Sequence, residues 1–323
     1  MILSASTVVT LPDNGVSRAN SRCSWLCRWL WCTVLMFSPL AWSWSPEGHG
    51  WVVLETYNNL SAADRKLLKK HAALVWQTWG SSSRTRWAGE SCKQLPQLCF
   101  LGYWPDTIRK TSLRDLFRKA GAAVPGPLAP YADDDTSRWH YINAHYIDHG
   151  GKPDSHCQLR PQGELPQILS ALEASAKLPL TAAQRALVVG FWFHMAADAH
   201  QPLHLISGID KHCRGDRGGG AVCLERGTGG ACSLNLHQLW DRAGNTELAQ
   251  LGSRVPAGTS GAHNAAVMIA ELDRHALSLA DRIYPASRNF TSRAYGQFVR
   301  QTSSQQLQQA IVNLTAQARL YLH

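Results

Sequence analysis

Residues 181–204, TAAQRALVVGFWFHMAADAHQPLH, constrain this chain more than any other stretch. Thr181 with Gln184 three positions on reads as a capping box, and the apolar run behind it predicts a helix over 181–200. On that helix His194 and Asp198 are four apart and share a face, so one metal ion can take both. Pro202 cannot continue a helix, because its ring displaces the backbone four residues back, so His204 is carried toward a different point and a different ion. The four-residue spacing recurs in NLHQLWD, residues 235–241, as His237 and Asp241. A third pair, His212 and Asp216, falls in a Gly- and Cys-rich loop where helical spacing has no meaning, and is set aside as a decoy. With 14 His in the chain such pairs arise by chance, so the argument rests on the set and not on one pair. Imidazole nitrogen and carboxylate oxygen are the donors zinc takes where no thiolate is offered.

Apolar residues elsewhere follow the 3.6 period and alternating runs are short, so the fold reads as mainly α. Ser61 with Asp64 opens a helix at 61–79, and further helices are expected near 164–177, 235–250, 263–284 and 293–321. Gly, Ser, Pro and Asp clusters at 79–92, 120–136 and 205–233 read as loops. No repeat and no linker divides the chain, and 323 residues with 45% hydrophobic content can bury one full core. The expected architecture is a single-domain, bundle-like set of helices with long loops linked by disulfides. No apolar run reaches the roughly 18 residues of a membrane span, and no Gly-rich phosphate loop is present, which excludes integral membrane proteins and ordinary NTPases. The formal charge of +9 favours an anionic partner.

Arg18, Arg22 and Arg28 precede an apolar stretch from Trp29 to Trp42 that ends in Ala41-Trp42-Ser43, the pattern of a signal peptide over 1–43 cut after Ser43. The mature chain, 44–323, would start at Trp44, carry a charge of +7 and work in the periplasm or outside the cell. It keeps six Cys, an even number that in an exported chain implies three disulfides. The short interval makes Cys92 with Cys99 the first choice, and the other pairings stay open. Asn59, Asn289 and Asn313 are glycosylation sequons.

Five ordered motifs resemble one family. They are Trp44-Ser45-Pro46-Glu47-Gly48-His49, Tyr103-Trp104-Pro105-Asp106 with Arg109, Trp139-His140-Tyr141-Ile142-Asn143, the segment from His194 to His204, and Asn235-Leu236-His237 through Trp240-Asp241. The chain is similar to the single-strand-specific zinc nucleases of the mung bean and fungal type, with bacterial zinc-dependent phospholipase C as a cousin of the same fold. The resemblance implies a cleft holding three zinc ions. Asp106, His140, His194 and Asp198 would hold the first, and His204, His237 and Asp241 the second. The free amine and carbonyl of Trp44, together with His49 and a bridging Asp198, would hold the third.

The implied reaction is hydrolysis of single-stranded RNA and DNA to 5′-phosphate products by a monomer with no integral membrane anchor, with 3′-nucleotidase activity beside it. Asp198 would serve that chemistry through the ions it bridges, and Arg109 would stabilise charge on the phosphate. Tyr141 would stack a nucleobase and Asn143 bond its edge. The chain departs from the family at Gly218-Gly219-Gly220, where a Gly-Gly-Asn is expected, and in a long loop from Leu205 to Leu234. Two alternatives stand beside this reading. A phospholipase C would carry a glutamate at position 241, where this chain has Asp241; a non-catalytic exported zinc-binding protein would keep no open coordination position.

Overall fold

The computed structural model describes residues 44–80, 92–148, 151–157, 159–243 and 260–323, all within one compact unit. The leader, its cleavage point, most of the 79–92 loop and the 244–250 end of one expected helix lie outside the described residues.

The architecture is mainly helical. In chain order come α1 (Pro46–Asn59), α2 (Ala62–Trp79), α3 (Pro96–Thr107), α4 (Leu113–Lys119), β1 (His145–Ile147), α5 (Leu165–Ala176), α6 (Ala182–Ala199), α7 (Pro202–Leu205), β2 (Ile206–Gly208), β3 (Cys223–Arg226), β4 (Cys232–Asn235), α8 (Leu236–Ala243), α9 (Ala265–Ser278), α10 (Ala280–Ile283) and α11 (Arg293–Leu322). Helix α6 is the hub, with α2, α3, α5 and α11 packed around it. Its sequence dictates that place, since every residue from Arg185 to Ala199 is buried and a helix apolar all round is stable only inside. Thr181 and Gln184 form both bonds of the capping box. Ser61 caps α2 through the Asp64 amide, while the Asp64 carboxylate accepts from the Ser61 hydroxyl.

The fold differs from the sequence reading in three places. The expected helix over 263–284 is broken at Leu279 into α9 and α10. The segment read as loop after residue 205 contains β2, which pairs with the distant β1, and the local β3–β4 hairpin; at three or four residues each, these strands are too short to show an alternating pattern. Helices α1 and α3 form where no periodicity marks them: α3 buries eight successive residues, Leu98 to Pro105, and holds an interior proline. Their stability comes from packing against each other, not from propensity.

The three disulfides are Cys92–Cys99, Cys157–Cys213 and Cys223–Cys232. Of the sequons, Asn289 is exposed, whereas Asn313 is buried, with its amide bonded to the Ala262 N–H and the His200 ring, and is closed to a glycan in the folded chain. Among the described residues no helix is long and apolar enough to cross a membrane.

Arg185 is buried, and among the described residues no carboxylate pairs with it. Its guanidinium donates to the carbonyls of Ala176 (3.1 Å) and Leu178 (3.0 Å) at the end of α5 and to Tyr321 (3.3 Å) at the end of α11. The orphan carbonyls of two helix ends thus share one cation. Arg185→Met keeps the stem and strands those carbonyls, so it should destabilise the fold by about 2–4 kcal/mol, a drop in melting temperature of roughly 5–10 °C. An unchanged melting temperature would show that the carbonyls find water instead.

Candidate metal centre

Each candidate ligand is delivered by an element whose sequence leaves it little freedom. Ser45 caps α1 and Pro46 opens it, which puts His49 in the first turn. Gly102 lets α3 lie against α1, since a Cβ there would stand 2.6 Å from the His49 carbonyl oxygen. That close approach sets Asp106 in the last turn of α3 beside α6. His194 and Asp198 lie one turn apart on α6. The chain then breaks at His200 and Gln201 and restarts at Pro202 as α7, which carries His204.

A parallel β1–β2 pair, with His145 opposite Ile206, fastens the strand after His140 to the one after His204. Next to it the amides of Ile142 (2.8 Å) and Asn143 (3.1 Å) both donate to the His204 carbonyl. Asn235 and Gln238 cap α8 reciprocally, at 3.0 and 2.8 Å, and fix His237 and Asp241. Four of the ligands, Asp106, His140, His194 and Asp241, lie one or two positions after a fully buried tryptophan: Trp104, Trp139, Trp192 and Trp240. Four of the chain's 13 tryptophans thus pack beside candidate ligands.

The side chains meet in two clusters. In the first, His140 Nδ1 lies 2.8 Å from Asp198 Oδ2 and 2.9 Å from His194 Nε2. His194 Nε2 lies 3.2 Å from Asp198 Oδ2 and 3.4 Å from Asp106 Oδ1. His49 stacks on the His194 ring, centroids 4.0 Å apart, with Nε2 3.2 Å from Asp198 Oδ1. In the second cluster His204 and His237 stack at 5.1 Å, and His237 Nε2 is 3.7 Å from Asp241 Oδ2. Asp198 Oδ1 is also 3.9 Å from His204 Nδ1, so one carboxylate faces both clusters. Trp44 is fully buried, its indole N–H donating to the carbonyl of Ala197, the residue before Asp198, at 2.8 Å.

Three of the imidazoles are oriented by backbone. His194 Nδ1 donates to the Gly102 carbonyl (2.7 Å), His237 Nδ1 to that of Gly218 (2.7 Å), and His204 Nδ1 to that of His140. With Nδ1 so committed, Nε2 is the atom left to hold a proton or a metal ion, the usual arrangement behind metal-binding histidines. Gln201 completes the second cluster by donating to Asp241 Oδ1 at 2.9 Å.

The electrostatics depend on which charges are paired. Burial and Arg109 push His140 down to about 3, and burial pushes His204 down to about 3. Burial also works against ionisation of Asp106, but Arg109 and His194 outweigh it and hold that carboxyl well below its ordinary range. For His194 burial is outweighed by Asp198 and Asp106, and the ring is pushed up to about 10. Asp106 and Asp198 thus favour positive charge at this point, and a metal cation would be held there more strongly than a proton. In the second cluster burial raises Asp241 well above a normal carboxyl despite the Gln201 bond.

Nitrogen and carboxylate donors converge in three groups, His49/Asp106/His194, His140/His194/Asp198 and His204/His237/Asp241, each with its donor atoms within 4.8 Å of one another. His140 Nε2 and Asp241 Oδ2 are buried with no hydrogen-bond partner. Such a donor set fits divalent metal ions of borderline softness.

Around this set, Arg109 bonds Asp106 through Nε (2.8 Å) and Nη2 (2.5 Å) and keeps 12% of its side chain exposed. Tyr141 is half-buried. Asn143 is buried, sits in the left-handed region at φ 45° and leaves Oδ1 without a partner. His212 and Asp216 join none of the three groups. Gln201 and the carbonyls of Gly102 and Gly218 carry no mark in the sequence that ties them to the site.

No curated protein matches the chain. A family match does hold over residues 44–318, a span that takes in Trp44 at one edge and both donor clusters, and by it the chain belongs to the S1/P1 nuclease family.

Proposed function

We propose that this protein is an exported zinc-dependent phosphodiesterase that hydrolyses single-stranded RNA and DNA to 5′-phosphate products and removes the phosphate of 3′-nucleotides. The observation that carries the reading is the shared carboxylate of Asp198, with one oxygen toward His140 and His194 and the other toward His49 and His204. Asp106, His140, His194 and Asp198 would hold one zinc, His204, His237 and Asp241 a second, and Trp44, His49 and Asp198 a third. Bound zinc supplies Lewis acidity toward a phosphate oxygen and lowers the pKa of water.

The chain's own residues do the rest. The carbonyls of Gly102, His140 and Gly218 keep three rings turned toward the phosphate site. Arg109 stands at the rim beside Asp106, placed to offset charge on the phosphate. The paired donors of the clusters are at most 6% exposed, so a flexible strand reaches them more easily than a duplex. Tyr141, next to His140, has a half-buried ring that would stack a base, and Asn143, two residues on, would bond the base edge once its buried side chain opened toward it.

The deciding assay offers purified mature protein single-stranded DNA, RNA, a 3′-nucleotide and phosphatidylcholine side by side. Cleavage of the nucleic acids to 5′-phosphate ends, faster than any lipid, is expected. Lipid cleavage with intact oligonucleotides would replace this reading with a phospholipase, and no cleavage of any substrate by zinc-loaded protein would leave a non-catalytic zinc protein.

A further inference from the structure

Asp216 has no place among the metal donors, yet its carboxylate is heavily used. Oδ1 alone accepts from Ser207 Oγ (2.9 Å), Gly208 N (2.8 Å), Gly219 N (2.8 Å) and Tyr284 OH (3.1 Å). Those donors come from β2, from the glycine turn after Arg217 and from the residue that ends α10.

The Gly219 N–H belongs to the same planar peptide as the Gly218 carbonyl. In a trans peptide the two groups point in opposite directions, so Asp216 grips one edge of that plate while the other receives His237 Nδ1 at 2.7 Å. Ser207 adds a second grip, since its hydroxyl donates to Asp216 and accepts from Gly218 N at 3.0 Å. The turn itself admits nothing larger than glycine: Gly218 has φ +59°, and a Cβ there would stand 2.1 Å from the Leu203 carbonyl oxygen.

We propose that Asp216 is a positioning residue for the second metal cluster, acting on His237 through the Gly218–Gly219 peptide. Its carboxyl oxygen, by accepting from the Gly219 N–H, fixes the rotation of the peptide plane and polarises the carbonyl, so the imidazole keeps Nε2 toward Asp241 and is a stronger donor. The arrangement is a carboxylate–histidine pair with one peptide interposed. This inference rests on the reading of His237 as a zinc ligand.

The test is zinc affinity by competition with a chelator, measured for the mature wild type, D216A, D216N, Y284F and H237A, beside the melting temperatures of the metal-stripped proteins. D216A should weaken the most loosely held zinc by about 10- to 100-fold. D216N keeps an oxygen for all four donors and should stay within about threefold of wild type. Y284F removes a donor to the same oxygen but none from the glycine turn, so it should lower the metal-free melting temperature and leave zinc affinity unchanged. Should D216A not fold, S207A, which strands only Gly218 N, should show a several-fold loss. The proposal is overturned if D216A, or S207A in its place, lowers stability with wild-type zinc affinity, or if D216N is as weak as D216A. Full zinc retention by H237A would instead refute the ligand reading, a separate result from one in which H237A loses the ion and D216A keeps it.

Discussion

Asp198→Asn is expected to strip most of the zinc from the protein and to lower phosphodiester cleavage by about a hundredfold or more, with the fold intact. The expectation follows from position. Asp198 Oδ2 lies 2.8 Å from His140 and 3.2 Å from His194, while Oδ1 lies 3.2 Å from His49 and 3.9 Å from His204. No other carboxylate described faces both clusters, so the amide would turn a donor N–H toward one of them and remove the negative charge from both. His212→Ala should change neither zinc content nor rate, since that side chain belongs to no donor group. Metal analysis and a cleavage assay on the two variants read the difference, and equal losses in both would mean that the wrong pair was assigned.

One extra residue before Trp44 should cost nearly as much. An amine binds zinc through a lone pair that a peptide nitrogen does not offer, so the proposed third ion needs a free Trp44 terminus. The indole already anchors this end by donating to Ala197 at 2.8 Å, and the Ser45 amide donates to the Asp241 carbonyl at 3.3 Å. An added residue therefore cannot be absorbed by sliding the chain. A Met-Trp44 protein refolded beside the authentic one should keep its disulfides and its first and second zinc, and lose most activity, by about a hundredfold. Signal cleavage would then confine the nuclease to the far side of the membrane. Full activity in the extended protein would remove both the third-site assignment and that protection.

Five of the candidate donors are legible in residue type and spacing: His194 and Asp198 one turn apart, His237 and Asp241 likewise, and His204 carried off the helix by Pro202; Trp44, His49, Asp106 and His140 have no such spacing and enter only through the family resemblance. Helix α6 was legible for the same reason, with a cap at one end and a proline after the other. Of the helices that escaped, α4 has only seven residues, too few to show a period, while α1 and α3 carry glycines and an interior proline that propensity disfavours and are apolar without a period, so tertiary packing decides them. The supports of the ligands escaped for a different reason. Gly102 orients His194 across 92 residues, Gln201 reaches Asp241 across 40, and Asp216 acts on His237 through a peptide that neither residue belongs to. Backbone carbonyls leave no mark in residue type, and the spacing of Asp216 from His212 says nothing of the backbone amides its carboxyl accepts from.

The central claim is that these side chains hold zinc, and anomalous scattering at the zinc edge from crystals of the mature protein tests it directly. The account predicts one peak among Asp106, His140, His194 and Asp198, a second among His204, His237 and Asp241, and a third between Trp44, His49 and Asp198. Density at Asp216 with none in these clusters, or no zinc peak from active protein, would contradict it.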